Sequence, residues 1–265
     1  MNTPSSLRKL LAASAIALSA CAPLNEFPKA SNKPINISIL AFNDLHGHLE
    51  PPGLSVRERI DGHLKEVPAG GVAYLAAAIQ HFKKLNPLHA VVSAGDMIGA
   101  SPLTSALFLD EPTIEAVNAM GIDFNAVGNH EFDKGTAELQ RMRNGGCEKH
   151  TRIDPCQVNR QFAGANFEFL AANTKQENNQ TLFPAYGIKS FKQGQHTIKV
   201  GFVGLTLKAT PNLVTPEGIK GLRFEDEANT ANALVPLLKA QGVSALVLVI
   251  HEGGLIQGSH NDATC

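Results

Sequence analysis

Apolar residues along this chain fall into two alternating patterns. Short, nearly continuous apolar runs recur at "INISILAF" (35–42), "HAVVSAGD" (89–96), "IDFNAVGN" (122–129), "FEFLAANT" (167–174), "HTIKVGFVGLT" (196–206) and "VSALVLVIHEGG" (243–254). They predict strands, and a run such as "ALVLVI" predicts burial on both faces. Between them lie helical spacings. In "GGVAYLAAAIQHFKKLNP" the apolar residues Val72, Leu75, Ile79 and Phe82 recur at helical intervals, and Asn86-Pro87 stops the helix. "EPTIEAVNAMG" has Pro112 near its start and Gly121 after its end, the ordinary punctuation of a helix. "TAELQRMRNGG" and "ANALVPLLKAQG" read the same way. "YGIKSFKQGQHTIKVGF" predicts a hairpin around Gln193-Gly194, so at least one sheet is mixed. Strands alternating with helices predict an α/β domain.

Four of the apolar runs stop abruptly at residues that bind metals. "ISILAF" runs into Asn43, Asp44 and His46; "AVVSAG" into Asp96; "FNAVG" into Asn129, His130 and Glu131; "LVLVI" into His251. Sites in open α/β sheets form outside the carboxyl ends of the strands, so parallel neighbours would gather these ends on one edge. The set mixes carboxylate, imidazole and amide oxygen and has no thiolate. That suits zinc, manganese or iron and not a structural thiolate zinc site. The ligand number fits two ions, with Asp96 the candidate bridge. A two-metal site clamps a phosphoryl oxygen, neutralises developing charge and acidifies a bound water. His130 precedes Asp133 by three residues, a spacing at which the carboxylate can fix the imidazole tautomer.

Composition narrows the picture. The 265 residues carry a formal net charge of −1 and no tryptophan, which gives no support to a nucleic-acid polymer as partner. Residues 1–21 read as a secretory signal peptide: Arg8 and Lys9 precede a short apolar run that ends at Cys21. "LSAC" resembles a bacterial lipobox, which would lipidate Cys21; a plain signal peptide cut near Ala22 is the alternative. Residues 22–34 read as a polar, proline-bearing tether. Export, to the periplasm or cell envelope, makes a disulfide between Cys147 and Cys156 the expectation, and leaves Cys265 odd.

"NDLHGHLEP", "AGDMIGASPL" and "VGNHEFDKG", followed by a strand-terminal histidine, together resemble the calcineurin-like metallophosphoesterases. The fuller phrases are similar to the secreted 5′-nucleotidase branch, which includes UDP-sugar hydrolases and 2′,3′-cyclic phosphodiesterases. The resemblance implies a four-layer α/β/β/α sandwich of two mixed sheets over 35–265. It implies two divalent ions (zinc, manganese, iron or magnesium), with Asp44 and His46 on the first, Asp96 bridging, and Asn129 and His251 on the second. It implies that His130, supported by Asp133, contacts substrate and acts on the leaving group while a metal-activated hydroxide attacks phosphorus. The family also carries a later Gly-His-x-His or Gly-His-x-Gln motif and a nucleotide-gripping C-terminal domain. Neither has a match after His251, where His260 is followed by Asp262 at the second-ligand position. The expectation is a catalytic domain that is incomplete at its C-terminus, with a non-catalytic phosphoesterase-fold surface protein as the alternative.

Overall fold

The computed structural model describes residues 34–53 and 55–253, with side chains from 60 onward after the gap. Residues 1–33, which include Cys21 and nearly all of the expected tether, and residues 254–265, which include His260, Asp262 and Cys265, lie outside the described residues. Four strands, β1 (Ser38–Phe42), β4 (His89–Ser93), β5 (Phe124–Ala126) and β6 (Glu168–Leu170), pair in the order β1-β4-β5-β6, all parallel. A second sheet runs β11-β9-β8, from β8 (Tyr186–Gln193), β9 (His196–Thr206) and β11 (Val243–His251). Its β8–β9 pair is antiparallel and its β9–β11 pair is parallel. The mixing of strand directions therefore sits in the second sheet. The hairpin turns at Gly194, whose φ of +60° suits glycine.

Alternation along the strands makes the layers. Ala90 and Val92 of β4, with Phe124 and Ala126 of β5, face Val200 and Phe202 of β9 in a core between the sheets. Val91 faces the other way, into a core shared with α3 (Glu111–Met120) and α4 (Thr136–Asn144). On the far side of the second sheet, Val203 and Leu205 meet Ala231 and Leu238 of α5 (Glu227–Ala240). The result is helix, sheet, sheet, helix. The two sheets approach so closely that a Cβ at Gly187 would stand 2.0 Å from the Phe124 ring.

Three elements differ from the sequence expectations. The run 167–174 is divided, with β6 in the first sheet and β7 (Thr174–Gln176) paired to β10 (Leu222–Phe224). Asn173 causes the break: its amide oxygen accepts the Thr206 N–H, and its amide nitrogen donates to the carbonyls of Thr206 and Glu225. A hairpin of β2 (Ser55–Ile60) and β3 (His63–Pro68) turns at Asp61-Gly62, both with positive φ. Helix α5 starts earlier than its apolar spacing suggests, because the Asp226 carboxylate caps it through the Asn229 N–H at 3.0 Å. On α1 (Val72–Leu85), Ile79 is buried while Phe82, in step with the apolar stripe, is half-exposed.

Cys147 and Cys156 are bonded as a disulfide with Cα atoms 5.6 Å apart. The bridged loop is tied down by a buried ion-pair triad. Arg141 donates to Glu111 at 2.7 Å and to Glu138 at 2.7 Å and 3.0 Å, and Glu111 accepts the Cys156 N–H at 2.9 Å.

Candidate metal centre

The site begins where the first sheet ends. Beyond β1 and β4 the ladder continues as loop-to-loop backbone bonds. Asp44 N–H reaches the Gly95 carbonyl at 3.0 Å, His46 N–H reaches Asp96 at 2.9 Å, and Gly47 N–H reaches Met97 at 3.0 Å. These bonds hold a strained backbone. Asp44, His46 and Asp96 all have positive φ, of 52°, 44° and 52°. Each such residue costs roughly 1–3 kcal/mol and persists only where its surroundings over-determine it. The strain turns all three side chains into one cluster, whose ligand atoms lie within 4.8 Å of one another.

His46 Nε2 stands 3.6 Å from Asp44 Oδ1 and 3.7 Å from Asp96 Oδ2. His251, brought across on β11, places Nε2 3.1 Å from Asp96 Oδ2. The far nitrogen of each ring meets a carbonyl: His46 Nδ1 lies 2.9 Å from Gly99 O, and His251 Nδ1 lies 2.8 Å from Ala94 O. A carbonyl only accepts, so each Nδ1 carries a proton and each Nε2 is the nitrogen turned towards carboxylate oxygen. A proton or a cation belongs between those atoms. Burial alone would lower the His251 imidazole, yet Asp96 overrides it and pushes it up to about 9. Burial alone would raise Asp96, and His251 with the His130 N–H holds it below its ordinary value. Hard carboxylates and imidazole nitrogens, converging in this way, fit divalent ions such as zinc, manganese or iron.

His130 sits beside the cluster. Its N–H donates to Asp96 Oδ1 at 2.9 Å, and its ring meets the His46 ring edge-on with centroids 5.0 Å apart. His130 Nδ1 pairs with Asp133 Oδ2 at 2.9 Å, and the same oxygen accepts the Ala100 N–H at 3.1 Å. This fixes Asp133, and among the described residues His130 Nε2 makes no hydrogen bond. Asn129, one residue earlier, is buried, and among the described residues its side chain makes no hydrogen bond. His48 is exposed, on a cleft of about 570 Å³ that also includes Asp44, Pro52 and Tyr74. A second cleft of about 520 Å³ lies on the Asp133 side, with His150 and Arg152 in its wall.

Glu131, at the same strand end, has a structural role. It is buried, and its carboxylate accepts backbone N–H groups of Asp96, Met97 and Gly128. Burial, then the Asp96 charge, pushes it up to about 8. Backbone donors leave no mark in a sequence, so only its place inside "GNHEFD" could have flagged it.

Comparison with known proteins agrees with this geometry. A protein of Acinetobacter calcoaceticus, described as uncharacterized and encoded in the pqq-V 5′ region, is 54% identical over 169 residues, covering 62% of this chain and 83% of that protein. The endonuclease YhcR of Bacillus subtilis is 34% identical over 242 residues, covering 88% of this chain and 19% of that protein. The solved structure of Haemophilus influenzae NAD nucleotidase matches with a TM-score of 0.62 and 26% identity, covering 82% of this chain and 34% of that one. Further relatives are 5′-nucleotidases, hydrolases of phosphoric esters. Most of these relatives are much longer than this chain. The calcineurin-like phosphoesterase model matches residues 37–262, and the chain belongs to that family.

Proposed function

We propose that residues 35–265 are the catalytic domain of an exported, metal-dependent phosphoesterase that hydrolyses nucleotides in the manner of a 5′-nucleotidase. Residues 1–21 act as its signal peptide, Cys21 as its lipid anchor, and 22–34 as its tether. The observation that carries the reading is the convergence of His46 and His251 Nε2 on Asp96, beside the His130–Asp133 pair. Asp44, His46, Asp96, Asn129 and His251 would hold two divalent ions, which would supply charge neutralisation and an acidified water. Asp96 would be the ligand common to both. Gly99 and Ala94 carbonyls hold His46 and His251 in the tautomer that presents Nε2. His130 contacts the phosphoryl group. In its protonated form, with Nδ1–H on Asp133, it delivers the Nε2 proton to the departing ester oxygen.

Purified protein supplemented with manganese, cobalt or zinc should release inorganic phosphate from nucleoside 5′-monophosphates. Absence of phosphate release with all three ions sinks the reading, and absence of phosphodiester cleavage as well leaves a non-catalytic surface protein. A phosphodiester substrate, including UDP-sugar or 2′,3′-cyclic nucleotide, is the second reading, favoured by the relative described as an endonuclease. Cleavage of bis(p-nitrophenyl) phosphate, with monophosphates untouched, would select it.

A further inference from the structure

Glu131 directly follows His130 but turns away from the cluster. It is 2% exposed, and it gathers three backbone donors. Its Oε2 accepts the N–H of Asp96 at 2.9 Å and of Gly128 at 2.6 Å, and its Oε1 accepts the N–H of Met97 at 2.8 Å. The donors come from two separate loops: Asp96 and Met97 follow β4, while Gly128 follows β5. The loops meet closely over Gly128, where an added Cβ would stand 2.2 Å from Asp96 Oδ1 and 2.6 Å from the Asp96 nitrogen. Three turned-in N–H groups need an acceptor at both oxygens of one side chain, and the Glu131 carboxyl provides both.

We infer that Glu131 is a positioning residue that sets the separation of the Asp96 and Asn129 loops and thereby builds the second metal position. The inference rests on the two-ion reading above. The first pair of ligands is attached differently. Asp44 and His46 hang from Gly95 and Asp96 by backbone bonds that do not involve Glu131. Loss of the Glu131 carboxylate therefore removes the bridge between Gly128 and Asp96 and leaves the His130 N–H bond to Asp96 Oδ1 to hold the two loops, while the backbone bonds of Asp44 and His46 are untouched. Glutamine cannot substitute: one of its two ends is an NH2 group, which would face an N–H donor.

The test is calorimetric titration of manganese into the metal-free full chain, for wild type, Glu131→Gln and Glu138→Gln. Glu138 is a control, a carboxylate 1% exposed that bonds Arg141 and not the cluster. Wild type and Glu138→Gln should each take two ions with equal affinities. Glu131→Gln should keep the first affinity and weaken the second about 10- to 100-fold, the usual effect of removing a supporting partner. Equal titrations for wild type and Glu131→Gln overturn the inference. Fewer than two ions on wild type overturns the two-ion reading and the inference with it, a result separable from any behaviour of the variant. If circular dichroism shows Glu131→Gln unfolded, Glu131→Asp, which draws the carboxyl group back by one methylene from the three N–H donors, is read by the same criteria.

Discussion

Asp96 meets four neighbours at once: the His251 ring, the His46 ring, the His130 N–H and, through its own N–H, Glu131. Asp96→Ala is expected to abolish both metal uptake and phosphate release; full activity in that variant, measured with metal content, removes the bridging assignment. His130→Ala should retain its metal while turnover falls about 10²- to 10⁴-fold. Metal loss on that substitution would mean His130 is a ligand. Asp110 provides a pH prediction away from the cluster. Burial alone would raise it, but Lys134 at 2.5 Å, with the Ser101 and Ser105 hydroxyls, holds it below its ordinary 3.8. A lowered carboxyl stabilises the fold above its unfolded value, and that stability drains away as pH falls through the folded value. Asp110→Asn, which tolerates the left-handed backbone there, should cost about 3 kcal/mol at pH 7. It should also flatten the acid limb of urea melts recorded below pH 4. At this scale the sequence revealed the ligand types, because each follows a buried run. It hid the carbonyls of Gly99 and Ala94, which select the tautomers and belong to residues of no chemical distinction.

Among the elements, the bridged loop offers the clearest energetic test. A disulfide across nine residues is worth about 2.5 kcal/mol in the chain-entropy model. Replacing both cysteines with serine should lower stability by about that amount in denaturant melts while leaving metal uptake unchanged, since the loop supplies no ligand. A loss of metal uptake would show that the bridge also shapes the cluster. The spacing of Cys147 and Cys156 made the bridge readable. The Arg141 triad beneath it was not, because its members come from two helices distant in sequence. The missed β2–β3 hairpin carried a standard turn signal in Asp61-Gly62, but its strands are charged and present no apolar alternation. The break at Asn173 came from its three hydrogen bonds, which no run of apolar residues announces.

For the whole molecule, the layered order was legible because each layer needs its own periodicity, as in β9, where Phe202 and Val203 face opposite cores. The way the sheets lock together was less legible. Manganese at a hundredfold excess over its dissociation constant should add about 2.7 kcal/mol to stability. A chelator-reversible rise in Tm checks this; an unchanged Tm would mean the cluster does not select the folded state. His251 rides on the second sheet, while Asp44, His46 and Asp96 ride on the first, and its ring spans the gap to Ala94 and Asp96. An ion seated among them is a rivet through two plates. The sheets could then neither slide nor part without shearing it, so metal should slow amide exchange along β9 and β11 as far as the ends remote from His251. The metal-free form would be the one in which the two plates breathe.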